Sequence, residues 1–194
     1  NTKDNTPSVV HIDMVAGEKI EVMIAAKGGG SENKSKMVML NPSDDIADWV
    51  VKTLPTMGAG WCPPGMLGIG IGGTAEKAAV LAKESLMDPV DIQELIERGP
   101  QTTNEKLRLE IFDRVNKLGI GAQGLGGLTT VVDVKIKSLP THAASKPVAM
   151  IPNCAATRHA HFYLDGSGPA ELTPPKLEDW PEVTWEVSEN TRRV

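Results

Sequence analysis

Two cysteines, one loop histidine and two glycine-rich segments are the residues of this chain best suited to chemistry. Cys62 stands in GWCPPG and Cys154 in IPNCAAT, each at the end of an apolar run in a proline-bounded loop. Thiolates are preferred ligands of iron–sulfur clusters, zinc and copper(I). Two thiolates alone leave a structural zinc site incomplete, because such sites take four ligands. His142, His159 or His161 would complete the set, although no local spacing marks one. The other route is a cluster held by these two thiols and a cysteine on another segment. Without chemistry, the same pattern reads as two isolated buried cysteines on tight turns.

The surroundings of Cys62 support a site. Pro63 and Pro64 stiffen the chain and remove two backbone donors. Five glycines follow between positions 65 and 73, interleaved with Met66, Leu67, Ile69 and Ile71. Such a backbone admits close approach by a ligand or another element. Earlier, KGGGSEN at 27–33 offers the N–H groups of Gly28, Gly29 and Gly30 to an anion, with Lys27 beside them. It lacks the spacing of a nucleotide-binding P-loop; a plain flexible turn is the competing reading. His142, in PTHAAS, is of the side-chain type that exchanges protons near neutral pH. His159 and His161 alternate on a strand and share its side, next to Arg158; a solvated strand face explains them, as it explains His11.

Size and composition limit the options. The 194 residues suffice for one sizeable core, with 40% hydrophobic and 23% charged residues. A net charge of −5 argues against nucleic acid as a partner. No run approaches the roughly 18–20 apolar residues of a membrane span, so no membrane partner is expected. Two cysteines, 92 positions apart, form no disulfide framework, and the simplest location is the reducing cytoplasm.

These residues need elements to position them. Alternation predicts strands at 8–14 and 19–26 around a turn at Ala16-Gly17, then a short strand at 36–40. Ser43 is the expected cap of a helix over 44–54 that ends at Pro55. A buried strand at 67–71 leads to Thr74, the expected cap of a small-residue helix to Met87. Shorter and longer helices follow from Pro89 to Arg98 and over 104–118, the latter carrying Leu107, Ile111, Val115 and Leu118 at helical spacing. Strands are expected at 129–136, where Val131 or Val132 starts the alternation, at 147–151 and at 159–164. Between the long helix and the first of these lies GIGAQGLGGLTT, five glycines in twelve residues. The pattern predicts an α+β fold, with mixed or antiparallel sheets flanked by helices in one layered domain. The expected boundary is a domain over 1–165 and a proline-rich linker over 166–194, leading toward a further domain.

Five segments, in this order and spacing, resemble class I fumarate hydratase, the iron–sulfur type related to the L-tartrate dehydratase α subunit: KGGGSENKS, GWCPPGMLGIGIGGTAEKA, LGIGAQGLGGLTT, LPTHAAS and IPNCAATRHAHF. The resemblance implies a hydro-lyase that interconverts fumarate and L-malate, with a 4Fe–4S cluster whose open iron acts as Lewis acid. It implies that Cys62 and Cys154 are two of three cluster ligands, the third lying upstream of Asn1. His142 matches the catalytic-site histidine, and Gly28–Gly30 contains the substrate-contacting glycine. The implied partners are a small dicarboxylate, an N-terminal segment and a C-terminal domain of the same enzyme, and a second copy in a homodimer. An L-tartrate dehydratase subunit and a non-catalytic metal-binding or structural module are the competing readings.

Overall fold

The computed structural model describes residues 2–4, 6 and 8–168. In chain order the elements are β1 (Ile20–Ala25), α1 (Gly29–Glu32), β2 (Lys36–Leu40), α2 (Ile46–Thr53), a 3₁₀ turn (Leu54–Met57), β3 (Gly65–Ile71), α3 (Ala75–Ser85), α4 (Ile92–Arg98), α5 (Thr103–Asn116), a second 3₁₀ turn (Ala122–Gly124), β4 (Val131–Ser138), β5 (Lys146–Asn153) and β6 (His159–Leu164). They build a four-stranded sheet ordered β2-β5-β3-β4 and a two-stranded ribbon of β1 with β6. β5 runs antiparallel to both β2 and β3, whereas β3 and β4 are parallel. The mixed α+β fold expected from the sequence is observed, with α3, α4 and α5 forming the crossover between the parallel pair.

β3 is the centre of the sheet, and its alternation separates two cores. Leu67 and Ile69 point into a cluster with Val50 and Leu54 of the α2 segment and Ile111 and Val115 of α5. Met66 faces the other way, with Ala78, Ala82 and Leu86 of the α3 segment. Gly68 and Gly70 share that second face and let α3 descend onto the strand. A β-carbon at Gly70 would lie 1.9 Å from the Ala78 carbonyl oxygen, and one at Gly68 2.2 Å from that of Ala82. The small residues of both elements thus serve one close helix–strand contact.

Several local expectations are corrected. Residues 8–14 form no strand: Val9, Val10, Ile12 and Met14 are exposed, and β1 takes its ladder from β6. Apolar alternation makes a strand only where one face finds cover and the backbone finds a ladder, and neither is present for these residues. The helix expected from Asp44 begins at Ile46, because the Asp45 carboxylate accepts from the Asp48 N–H at 2.8 Å. Thr74 precedes α3 without a side-chain cap, and its hydroxyl donates instead to Glu76 at 2.8 Å. Thr102 and Glu105 close a reciprocal capping box on α5, which begins at Thr103. In β4 a register shift opposite Gly65/Met66 resolves the choice of inward valine: Val131 is buried and Val132 is 39% exposed. The expected linker beyond residue 168 lies outside the described residues.

The described residues fall into two units, Glu21–Phe162 and the remainder. In the second, Asp4 organises a turn: Thr6 donates to its carboxylate from both N–H and hydroxyl, at 3.1 and 2.6 Å.

A buried ionic network ties the helices of the first unit to the sheet. Asp133 is fully buried and accepts from Arg108 at 3.1 Å and from the Asp91 N–H at 2.9 Å. Lys135, also buried, bonds Asp133 at 3.0 Å and Asp91 at 2.5 Å. Arg108 also binds Asp91, and its Nε donates to the Val134 carbonyl at 2.6 Å. Burial alone would raise the Asp91 carboxyl, but Arg108 and Lys135 outweigh it and hold it at about 2. A depressed carboxyl stabilises the fold above its unfolded value and loses that contribution as pH falls through its folded value. The Asp91 share of stability is therefore expected to be complete above about pH 4 and to vanish toward pH 2. Urea titrations of wild type and Asp91→Asn at pH 6 and pH 2.5 check it: the difference between the two proteins should shrink at the lower pH. An unchanged difference would contradict the assignment.

Candidate functional site

The turn carrying Cys62 is anchored from beneath and tied from three sides. Trp61 is fully buried in the larger core, one position before the exposed Cys62. The Cys62 N–H donates to the Ala59 carbonyl at 2.9 Å, and Cys62 itself adopts φ = 57°, in the left-handed region. A non-glycine residue held there is uncommon and points the side chain away from the path an extended chain would give it. The Pro63–Pro64 bond is cis.

The first tie comes from the second cysteine. The Ala155 N–H donates to the Cys62 carbonyl at 3.1 Å, so the Cys62 and Cys154 turns are hydrogen-bonded neighbours. Both thiols are free; Cys154 is half-buried, with Sγ 3.3 Å from the Ala156 carbonyl. The register accounts for this meeting: Met66 near the start of β3 pairs with Asn153 at the end of β5. Long-range pairing thus brings together two residues 92 positions apart in sequence.

The second tie is the first glycine segment. Expected as a loop, it forms the single helical turn α1, preceded by Gly28. Lys27 reaches forward to the Ser31 hydroxyl at 2.9 Å and to Glu32 at 3.1 Å, while the Ser31 hydroxyl donates to the Gly28 carbonyl at 3.1 Å. These bonds hold the segment as a helical turn and rule out the plain flexible turn. A β-carbon on Gly30 would lie 2.7 Å from the Gly60 carbonyl oxygen, so α1 packs against the Cys62 turn backbone to backbone. Burial pushes the Lys27 ammonium below its ordinary value, against the opposing pull of Glu32. Burial would raise Glu32, but Lys83 and Lys27 prevail and keep it below the usual carboxylate range.

The third tie comes from residues 119–130, to which sequence reasoning gave no site role. The Gln123 N–H donates to the Pro63 carbonyl at 2.7 Å. A β-carbon on Gly124 would meet that of Ala59 at 2.7 Å. Its five glycines in twelve residues were the available signal, but only the sheet register shows which turn they crowd.

His142 stands elsewhere. Its loop connects β4 to β5 and lies against the residues that leave the far end of β3: Gly73 N–H donates to the Pro140 carbonyl, and Gly72 N–H to that of Pro147. Between this end and Cys154 runs the whole of β5, eight residues whose first and last Cα atoms stand roughly 23 Å apart at ~3.3 Å per step. There His142, Thr141, Ser145, Thr74 and Met39 line an open hollow of about 590 Å³. His142 Nδ1 accepts from the Ala144 N–H at 3.1 Å, leaving Nε2 as its outward nitrogen. One end of the sheet therefore gathers Gly28–Gly30, Cys62 and Cys154, and the opposite end carries His142. His161 instead pairs with Glu21 at 2.7 Å across the β1–β6 ribbon. Burial lowers His159 below the ordinary histidine value. Among the described residues no three of His, Cys, Asp and Glu gather as a metal site, so the two-cysteine, two-histidine zinc arrangement is not formed.

The profile of the family described as Fumarate hydratase (Fumerase) matches residues 1–163. The chain belongs to the fumarate hydratase family. Among its curated relatives, a putative L(+)-tartrate dehydratase subunit alpha from Methanocaldococcus jannaschii is 40% identical over 160 residues, 80% of this chain and 54% of the relative. The anaerobic class I fumarate hydratase of Escherichia coli is 32% identical over 177 residues, 87% of this chain and 32% of that enzyme. An Escherichia coli L(+)-tartrate dehydratase subunit alpha is 30% identical over 161 residues, 81% of this chain and 52% of the subunit. The chain thus spans about half the length of the tartrate dehydratase subunits it matches, and a third of the fumarate hydratase. No helix among the described residues is long and apolar enough to cross a membrane.

Proposed function

We propose that this chain is part of a hydro-lyase that adds water reversibly to fumarate, giving L-malate. The observation that carries the reading is the hydrogen-bonded meeting of the Cys62 and Cys154 turns beside Gly28–Gly30, in a member of this family. Two free thiols on adjoining turns, one exposed and one half-buried, suit two ligands of a 4Fe–4S cluster. With only two cysteines in the sequence, the third thiolate comes from a segment outside it. When bound, the cluster supplies an open iron that polarises substrate oxygens as a Lewis acid. The chain's own groups bind and orient. In α1 the Glu32 N–H bonds the Gly28 carbonyl, while the N–H groups of Gly29 and Gly30 precede any acceptor within the turn and can hold a substrate carboxylate. They also stabilise the negative charge that builds on that carboxylate when a proton leaves the neighbouring carbon.

A histidine in the loop at the other end of β5, a strand roughly 23 Å long, does not reach a substrate held at its own chain's cysteines. In this reading His142 serves the site of a second copy, consistent with a homodimer. Its outward Nε2 would hydrogen-bond the substrate or relay a proton there.

The fumarate reading draws support from the match to a fumarate hydratase over 177 residues, against 160 and 161 for the tartrate dehydratase subunits. The 40% identity to a putative tartrate dehydratase subunit is the observation that favours the second reading. Anaerobic kinetics of the complete enzyme on fumarate, L-malate and L-tartrate separate them: fumarate and malate should be the better substrates, and a clear tartrate preference would overturn the choice. Inactive His142→Asn and Cys62→Ser enzymes should regain activity when co-assembled, because one mixed site then holds both wild-type groups. Persistent inactivity of the mixture would contradict the second-copy role.

A further inference from the structure

Arg98, Arg108 and Arg114 are each ion-paired: with Glu105, with Asp91 and Asp133, and with Asp48 and Glu110. Arg158, four residues after Cys154, has no carboxylate partner among the described residues, yet its position is fixed. Its Nε donates to the Ala26 carbonyl at 3.1 Å, and its own carbonyl accepts from the Ala26 N–H at 2.9 Å. These two bonds hold the residue against the chain that leads into Gly28–Gly30. One terminal nitrogen lies 3.9 Å from where a β-carbon on Gly28 would sit. With Nε occupied, the Nη1–Nη2 edge remains available, and that edge matches a planar carboxylate with two parallel hydrogen bonds. Lys27, at the same turn, is already engaged by Ser31 and Glu32. Lys34 lays its aliphatic stem over Gly60, where a β-carbon would lie 2.9 Å from Cε.

We infer that Arg158 is a substrate ligand that takes one carboxylate of the diacid edge-on, beside the Gly28–Gly30 turn. This rests on the hydro-lyase reading of the same end of the sheet. It adds a specificity role: a guanidinium fixed on Ala26 selects substrates carrying a carboxylate at this distance from the reacting carbons. The alternative is a purely mechanical clamp between the Cys154 turn and the glycine turn, and the two predict different losses.

The test uses the complete enzyme, reconstituted anaerobically. Arg158→Gln should raise KM for fumarate about 10- to 100-fold, the range for losing a charge-assisted hydrogen bond, with iron and sulfide per chain unchanged. Arg158→Lys should recover part of the loss. Wild type should be inhibited more strongly by succinate than by butyrate, and Arg158→Gln should lose most of that preference. A clamp role would instead lower kcat and iron content together and leave the succinate preference intact; that result overturns the inference. So does an unchanged KM in Arg158→Gln, or a KM effect that falls on Lys34→Met instead. A wild-type enzyme that turns over neither fumarate nor tartrate overturns the parent reading as well, and the wild-type control distinguishes that case.

Discussion

Serine in place of Cys62 or Cys154 in the complete enzyme is expected to lower fumarate hydration by at least about a hundredfold, with loss of cluster absorption and little loss of stability. Replacing a residue that only hydrogen-bonds a metal ligand already costs roughly 10- to 100-fold, and removing the ligand itself costs more. The small stability effect follows from position. Cys62 is exposed and Cys154 half-buried, and neither belongs to the two hydrophobic clusters. Exposed substitutions away from core and caps usually change stability by no more than about 0.5 kcal/mol. What holds the turn is Trp61 in the core and the Ala155 N–H on the Cys62 carbonyl, and serine keeps both. Visible absorption, iron analysis and thermal melting of the two variants test this. Unfolded variants would point to two structural cysteines, the competing reading of the sequence.

The largest effect on stability is expected away from the site, at Gly70→Ala. The added methyl would sit 1.9 Å from the Ala78 carbonyl oxygen and 2.6 Å from the Ala82 N. Both are backbone atoms of α3, so no rotamer change relieves the contact. Either α3 lifts off β3, opening the cluster of Met66, Ala78, Ala82 and Leu86, or the strand shifts against β4 and β5. Overpacking of this kind costs typically 1–3 kcal/mol, and rigid backbone on both sides places Gly70→Ala at or above about 3 kcal/mol. Gly29→Ala is the control, since a β-carbon there meets nothing within 4 Å. Chemical denaturation should show Gly70→Ala far less stable than Gly29→Ala; similar midpoints would refute the close-contact account of β3.

Much of the fold was legible because its signals are local. Leu67, Ile69 and Ile71 announce β3, and the helical spacing of Ile111 and Val115 announces α5. Where two local signals compete, the side-chain bond decides. Asp45 rather than Ser43 starts α2, and the Thr102–Glu105 box sets the start of α5. Residues 8–14 carry a strand's alternation, but alternation says nothing about whether a ladder partner exists. The site was half legible. Its residue types and order were readable, but which end of the sheet each occupies depends on register between distant strands. The antiparallel pairing of β3 with β5 brings Cys154 to Cys62 and, by the same geometry, carries His142 to the opposite end. No spacing in the sequence distinguishes those outcomes. Arg158 beside two histidines looked like a solvated strand face; its bond to Ala26, 132 positions away, gives it a direction.

The Cys62–Cys154 end of this sheet is proposed as one wall of a cluster site that other segments complete. Its most direct test is anaerobic reconstitution with iron and sulfide, carried out in parallel on the complete enzyme and on this 194-residue chain. Iron content, visible absorption and fumarate turnover are then measured on both. The complete enzyme should bind about four irons per chain and hydrate fumarate. The 194-residue chain, with two thiols, should hold no stable cluster and show no turnover. A stable, catalytically active brown species formed by the short chain alone would contradict the account, as would a complete enzyme that hydrates fumarate with Cys62 and Cys154 both replaced by serine.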